Sequence, residues 1–251
     1  MSTNPVARED RLLRVGVLGC GPIAQMAHLD ACRKGRNTEL YAICDAAADL
    51  VEKMAAVHEP AVAYRDYAAM LADPRVEAVV IATSDPFHVP LSLEAVAAGK
   101  HVLVEKPLGT SVEECEELRS RVREAGVTLQ VGNNWRFDPG FRFAGDFIAA
   151  EMGERVAIKV WYYDSVDRYT MTDNLLPVIA ASEGSKRPEA DPKADRRRYL
   201  LMTHGAHAFD AARFAGGEIA AVSARHLQRA GSHCWFVAVE YADGCLGHLD
   251  L

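Results

Sequence analysis

From Arg14 to Val131 the chain repeats one pattern, a short continuous run of apolar and often β-branched residues followed by a longer amphipathic stretch. The runs are RVGVLG, ELYAICD, EAVVIAT, HVLVEK and VTLQVG. Apolar runs of this length suit strands covered on both faces, which is the situation of a parallel sheet sandwiched by helices. The stretches between them have helical spacing, as in Ser92 to Ala98 and Val112 to Glu124, and the second is opened by Thr110 or Ser111 as a cap with acids in its first turn. Strand and helix in strict alternation predict an α/β domain with a doubly wound parallel sheet.

After about Asn133 the pattern changes. Arg155 to Tyr163, Ile219 to Arg229, Trp235 to Tyr241 and Cys245 to Leu251 alternate or stay rich in β-formers, and Ala242-Asp243-Gly244 between the last two is a hairpin signal. This half is expected to be an α+β domain with a largely antiparallel sheet. The polar stretch Asp164 to Arg198, with Pro177, Pro188 and Pro192, reads as a long functional or mobile loop. The division expected is one domain over residues 12–132 and a second over 133–251. Cys245 to Leu251 closes the sequence as an apolar strand with no cap or covering helix, which reads as an uncovered edge and as the sign of a truncated second domain.

Charge narrows the range of partners. With 28 basic against 35 acidic residues the net charge is −7, so no long-range field draws nucleic acid or anionic lipid. No apolar run approaches the ~18 to 20 residues that span a bilayer. The six cysteines show no C-x-x-C spacing, and MSTNPVARED lacks the basic-then-apolar order of a secretory signal, so the reading is a cytoplasmic protein with reduced thiols.

The first strand runs into Gly19-Cys20-Gly21-Pro22-Ile23-Ala24, the G-x-G-x-x-A form of the dinucleotide turn. Gly19 permits a tight turn, Gly21 lets backbone approach a pyrophosphate, Pro22 fits a first helical turn, and Ala24 allows close packing of helix on strand. A plain strand-to-helix turn would use the same glycines. Asp45 ends the second strand 26 residues after Gly19, where a carboxylate accepts from the adenosine ribose hydroxyls. Residues 46 to 48 are all alanine and offer no cation to a 2′-phosphate, which favours NAD over NADP. Asp45 also suits the cap of the following helix, and the two roles are compatible.

The stretch from Glu77 to Pro107 resembles the glucose-fructose oxidoreductase / inositol dehydrogenase / rhizopine-catabolism (Gfo/Idh/MocA) family. The resemblance rests on the glycine turn, Ala82-Thr83 with His88 beyond Ser84, the A-G-K-H-V run, Glu105-Lys106-Pro107, and Asn134-Trp135-Arg136-Phe137. It implies Thr83, Ser84 and His88 beside the cofactor, Glu105 under the nicotinamide, Lys106 between nicotinamide and substrate, and a cis peptide at Lys106-Pro107. An ammonium there stabilises charge as a hydroxyl proton leaves, and a cationic nicotinamide beside it should lower its pKa. A solvated lysine after a strand is the plainer alternative.

In the second half, Leu200 to Asp210 is similar to the family's helix bearing an Asp-x-x-x-His pair, and His207 aligns with its catalytic histidine. An imidazole suits accepting the proton of a secondary alcohol. Thr203 stands where the family commonly has the aspartate, so either Lys106 and His207 carry the chemistry or His204 compensates. Asp210 is expected to orient a ring or to pair with Arg213. Asn134 and Arg136, with Thr203, His204 and His207, are candidate substrate contacts, and Asp164, Asp167, Lys193 and Arg197 are candidate pocket residues from the long loop. No metal is expected. Together these readings imply an NAD-dependent dehydrogenase for a secondary hydroxyl of a sugar, cyclitol or related polyol, acting as a homo-oligomer. Residues 12–132 are then its dinucleotide-binding domain and 133–251 its substrate-binding and oligomerisation domain. The alternative is a catalytically inactive dinucleotide-binding sensor or regulatory protein.

Overall fold

The structure is a computed structural model that describes residues 11–164, 179–189 and 193–251. The chain divides into two compact units. One holds residues up to Val131 together with Pro177–Glu189, and the other holds Gly132–Leu176 and Ala190–Leu251.

The first unit is built on a six-stranded parallel sheet. In chain order its elements are β1 (Leu13–Leu18), α1 (Leu29–Lys34), β2 (Thr38–Cys44), α2 (Ala48–His58), β3 (Val62–Tyr64), α3 (Tyr67–Ala72), β4 (Ala78–Ile81), α4 (His88–Ala97), β5 (His101–Val104), α5 (Val112–Ala125) and β6 (Leu129–Val131). The strand order is β3-β2-β1-β4-β5-β6. It reverses direction between β1 and β4, and that switch point opens a crevice at the carboxyl ends of the strands. Alternate residues feed two cores, one on each face. Val15, Val17, Leu40 and Ile43 pack with Leu29 and Leu50, while Leu18, Ala42, Val79 and Ile81 pack with Met70, Val96 and Leu118. Ser111 caps α5 in a reciprocal box with Glu114, which resolves the choice between Thr110 and Ser111.

A polar knot stabilises one side of this sheet. Asp73 accepts from the hydroxyls of Tyr41 at 3.0 Å and Tyr64 at 2.8 Å and from Arg75, and buried Lys100 donates to the carbonyls of Asp73 and Val76. Every polar group removed from water in it has a partner, as burial demands.

The second unit comprises α6 (Pro139–Glu151), β7 (Ala157–Trp161), a helical segment made of α7 (Arg196–Leu200), one wide turn over Leu201–Gly205 and α8 (Ala206–Gly216), then β8 (Ile219–Arg229), β9 (Ser232–Tyr241) and β10 (Leu246–Asp250). The sheet order is β7-β10-β9-β8, antiparallel except for the β7–β10 pair. Ala208 and Ala212 of α8 pack against Val237, Val239, Tyr241 and Leu249 on one face. The last strand is not an edge. It is paired with β7 on one side and β9 on the other, and the edges are β7 and β8, which corrects the uncovered edge expected from its apolar sequence. Among the described residues no helix is long and apolar enough to cross a membrane.

Candidate active site

The carboxyl edge of the first sheet gathers most of the residues singled out above. Gly19 has φ 94°, and a Cβ there would lie 2.7 Å from the carbonyl oxygen of Ala82, so no other residue fits the turn. Gly21 is different: among the described residues nothing lies within 4 Å of where its Cβ would be. Pro22 and half-exposed Ile23 follow, and Ala24 is fully buried beneath them. Residues Ala24–His28 form a single wide helical turn before α1.

Asp45 locks this turn to the end of β2. Its Oδ2 accepts the Cys20 N–H at 2.7 Å and its Oδ1 accepts the Ala47 N–H at 2.8 Å, which ties it to the approach to α2, whose N-cap is Ala47 and not Asp45 as the sequence suggested. A carboxylate has about four acceptor positions, so each oxygen keeps capacity for a ribose hydroxyl. At the end of β4 the Thr83 hydroxyl oxygen is buried without a partner among the described residues, and Ser84 opens the short turn Asp85–Phe87. An uncrowded glycine turn, an acid with acceptor capacity and an orphaned hydroxyl on three successive strand ends fit a dinucleotide.

His88 has another task. It is 1 % exposed, with Nδ1 2.7 Å from the Pro107 carbonyl and Nε2 3.1 Å from the Thr83 carbonyl. Its ring joins the loops after β4 and β5 from behind, positioning them rather than presenting a donor to a ligand. Glu105 follows β5, with Oε1 2.8 Å from His28 Nε2 and Oε2 accepting the Lys106 N–H. Burial pushes its carboxyl up, but the hydrogen bond and charge of His28, with help from Lys106, outweigh this and hold it below the ordinary range. The Lys106-Pro107 peptide is cis. His28 was not legible as a site residue, because its partner lies 77 positions away and nothing local marks the pairing.

One segment from the second half of the sequence belongs to this unit. The Gln25 side chain donates to the Ala180 carbonyl and accepts the Ala180 N–H, both at 2.9 Å. Ser182 donates to Asp49, and Lys186 lies 5.6 Å from the centre of the Phe87 ring.

In the second unit a cluster of rings surrounds the histidines. His207 stacks on Trp135 at 4.9 Å and 15°, Tyr162 stands edge-on to Trp135 at 5.4 Å, and His204 stacks on Tyr162 at 5.7 Å. His204 Nε2 is 3.3 Å from Asp164. Thr203 is buried, and its hydroxyl donates to the Tyr199 carbonyl one turn back, at 2.7 Å. Asp164, past the end of β7, therefore sets a carboxylate beside His204, while position 203 supplies none.

Asp210 pairs with Arg136, not with Arg213. The Arg136 Nε and Nη2 lie within 2.9 Å of its oxygens, Asn133 adds a third donor, and Arg213 pairs with Glu218 instead. Asp210 raises the Arg136 pKa, so this guanidinium is a charge already compensated. Asn134 sits exposed in the short turn Asn134–Phe137. Lys193 lies over the Tyr199 ring and Arg197 is in α7, whereas Asp167 falls outside the described residues.

Comparison with known proteins agrees with this geometry. Residues 13–133 match the oxidoreductase family with an NAD-binding Rossmann fold, Gfo/Idh/MocA. Over this segment the chain is similar to the Gfo/Idh/MocA family. An uncharacterized oxidoreductase of Bacillus subtilis, YrbE, is 32% identical over 84% of this chain and 56% of its own length. The myo-inositol 2-dehydrogenase of Thermotoga maritima is 32% identical over 52% of this chain and 39% of its own. The chain thus spans about half the length of these Gfo/Idh/MocA relatives or less. Among solved structures, GenD2 from gentamicin A biosynthesis, in complex with NAD, superposes with a TM-score of 0.77 at 26% identity, covering 100% of this chain and 68% of that one. A putative myo-inositol dehydrogenase from Sinorhizobium meliloti also gives 0.77, at 25% identity over 95% and 68%.

Proposed function

We propose that this chain serves an NAD-dependent oxidoreductase that moves hydride between the nicotinamide and a secondary hydroxyl of a sugar, cyclitol or related polyol. The observation that carries the reading is the gathering of Gly21, Asp45, Thr83, Glu105 and Lys106 on one sheet edge, with no described residue crowding Gly21 of the glycine turn. NAD, when bound, supplies the hydride acceptor. Asp45 accepts from the adenosine ribose and, by its charge, disfavours a 2′-phosphate. Thr83 and Ser84 offer hydroxyls along the same edge, and Glu105 places a carboxylate opposite the positive charge of the nicotinamide.

Lys106 stabilises the substrate oxygen as its proton leaves, and His207 accepts that proton. The stack on Trp135 fixes the plane of the His207 ring. With Thr203 turned back on the helix, Asp164 and His204 supply the acid-imidazole pair that position 203 lacks, and Asn134 and Arg136 border the polar ground from which a polyol is bound. The domain roles are those expected from the sequence with one change: residues 12–132, joined by 179–189, bind the dinucleotide, and the rest of 133–251 recognises substrate and self-associates. Six free cysteines suit a cytoplasmic home.

One observation favours the second reading, a dinucleotide-binding protein without turnover: the buried Thr203 hydroxyl donates into its own helix, and no carboxylate occupies its place. Calorimetry with NAD, followed by a search for reduced nicotinamide absorbance across polyols and sugars with the full-length protein, separates the two. Binding with turnover, reduced at least ~100-fold in Lys106→Ala, supports the oxidoreductase. Binding without turnover supports the sensor, and absence of NAD binding sinks both.

A further inference from the structure

Ala180 lies 155 positions from Gln25 in sequence, yet residues 179–189 are fastened to the dinucleotide edge at three places. Gln25, in the wide turn after the glycine motif, grips both the N–H and the carbonyl of Ala180. Asp49, at the start of α2, accepts from Ser182, and a Cβ built on Gly184 would lie 3.6 Å from Ala47, the buried residue two after Asp45. Phe87, in the turn after Ser84, meets the Lys186 ammonium. These anchors are the loops after β1, β2 and β4, the loops that carry the glycine turn, the ribose acid and the Thr83–Ser84 pair.

We infer that residues 179–189 are a strap forming the outer wall of the adenosine-ribose end of the dinucleotide site, so that the cofactor is held by this segment as well as by the Rossmann edge. The inference rests on the dinucleotide reading above. Its logic is positional. The strap stays clear of Gly21, where backbone must approach a pyrophosphate, and closes on Ala47 and Asp49, beside the acid that receives the ribose. Gln25 recognises backbone only, so what is held is the path of the strap and not one side chain. A ligand seated beneath a strap cannot leave until the strap lifts, so pinning it slows release and tightens binding.

The test uses the full-length protein and three probes: NAD, ADP-ribose for the adenosine half, and nicotinamide mononucleotide for the other. Trypsin reads the strap at the Lys186–Arg187 bond, since the next basic site, Arg187, is followed by Pro188. Saturating NAD and ADP-ribose should each slow cleavage of that bond about tenfold, and nicotinamide mononucleotide should leave it unchanged. Ala180→Pro removes the N–H that Gln25 accepts while leaving Gln25 and the glycine turn intact, and Ser182→Ala releases the pin on Asp49. Each should weaken NAD about five- to tenfold by calorimetry, with an unchanged circular dichroism spectrum. Unaltered cleavage in the presence of bound NAD, or wild-type NAD affinity in both variants, overturns the strap while leaving the dinucleotide reading standing. A wild-type protein that shows no NAD binding overturns both.

Discussion

Asp45 carries two duties, and separating them shows what it contributes to cofactor choice. One oxygen holds the Cys20 N–H of the glycine turn and the other holds the Ala47 N–H. Asp45→Ala would strand both donors and loosen the turn, so a loss of NAD affinity would say little about the ribose. Asp45→Asn keeps one acceptor and removes the charge. We expect it to weaken NAD about tenfold and NADP far less, because loss of a charge-assisted hydrogen bond costs about 1.5 kcal/mol and the repulsion of a 2′-phosphate vanishes with it. Titrating both dinucleotides measures this, and an unchanged ratio of the two affinities removes Asp45 from the choice between them. At this scale the sequence was informative wherever a residue's neighbours along the chain define its job. Gly19, Asp45 and the Glu105-Lys106-Pro107 run all belong to that kind. It was silent on His28 with Glu105, on Asp164 with His204 and on Arg136 with Asp210, pairs separated by 77, 40 and 74 positions, because a charge carries no mark of its distant partner.

Among the elements, those with a local stop and start were readable and those made by tertiary pairing were not. Helix α5 has both signals, the Ser111–Glu114 box at one end and Gly126 at φ 65° at the other. Ser111→Ala should lower the unfolding free energy by about 1 kcal/mol, read from urea melts, since the Glu114 N–H loses its cap. Strand β3 has only Val62–Tyr64, and it exists because β2 offers a free edge, so its apolar run is too short to announce a strand. Its place is secured by the knot around Asp73. There the Arg75 side chain and backbone N–H, then the Tyr64 and Tyr41 hydroxyls, hold the Asp73 carboxyl well below the usual carboxylate range. A carboxyl whose pKa is lower folded than unfolded contributes stability above its unfolded value, near ~4, and loses it as pH falls toward the folded value. The stability gap between wild type and Asp73→Asn should therefore be widest near neutral pH and shrink as pH drops below about 4. Unfolding midpoints that fall in parallel for the two proteins down to about pH 2 would assign the acid response to other groups.

For the molecule as a whole, the second sheet poses the question of self-association. One face is covered by α8, and register places Trp161, Leu227, Phe236 and Leu246 together on the other. They are 65%, 54%, 50% and 60% exposed, an apolar face open to water. Mixed in with them are Lys159 and His248 against Asp250, so the face combines an apolar field with a charged seam, the composition of an interface that must also set its register. The alternation of β9 signals such a face in the sequence, since Trp235, Val237, Val239 and Tyr241 go one way and Cys234, Phe236, Ala238 and Glu240 go the other. What alternation cannot say is which face α8 covers, or that β10 lies between β7 and β9, for both are settled by the order in which strands pair. If this face joins two copies, Phe236→Glu sets a carboxylate among apolar side chains and near Asp250, and its burial on association is opposed by desolvation and like charge. The dissociation constant of a self-associated wild type, measured by sedimentation equilibrium, should rise at least ~100-fold in the variant, while the NAD affinity of the first unit stays within about twofold. A wild type that sediments as a single chain at every accessible concentration would show that this face does not join two copies.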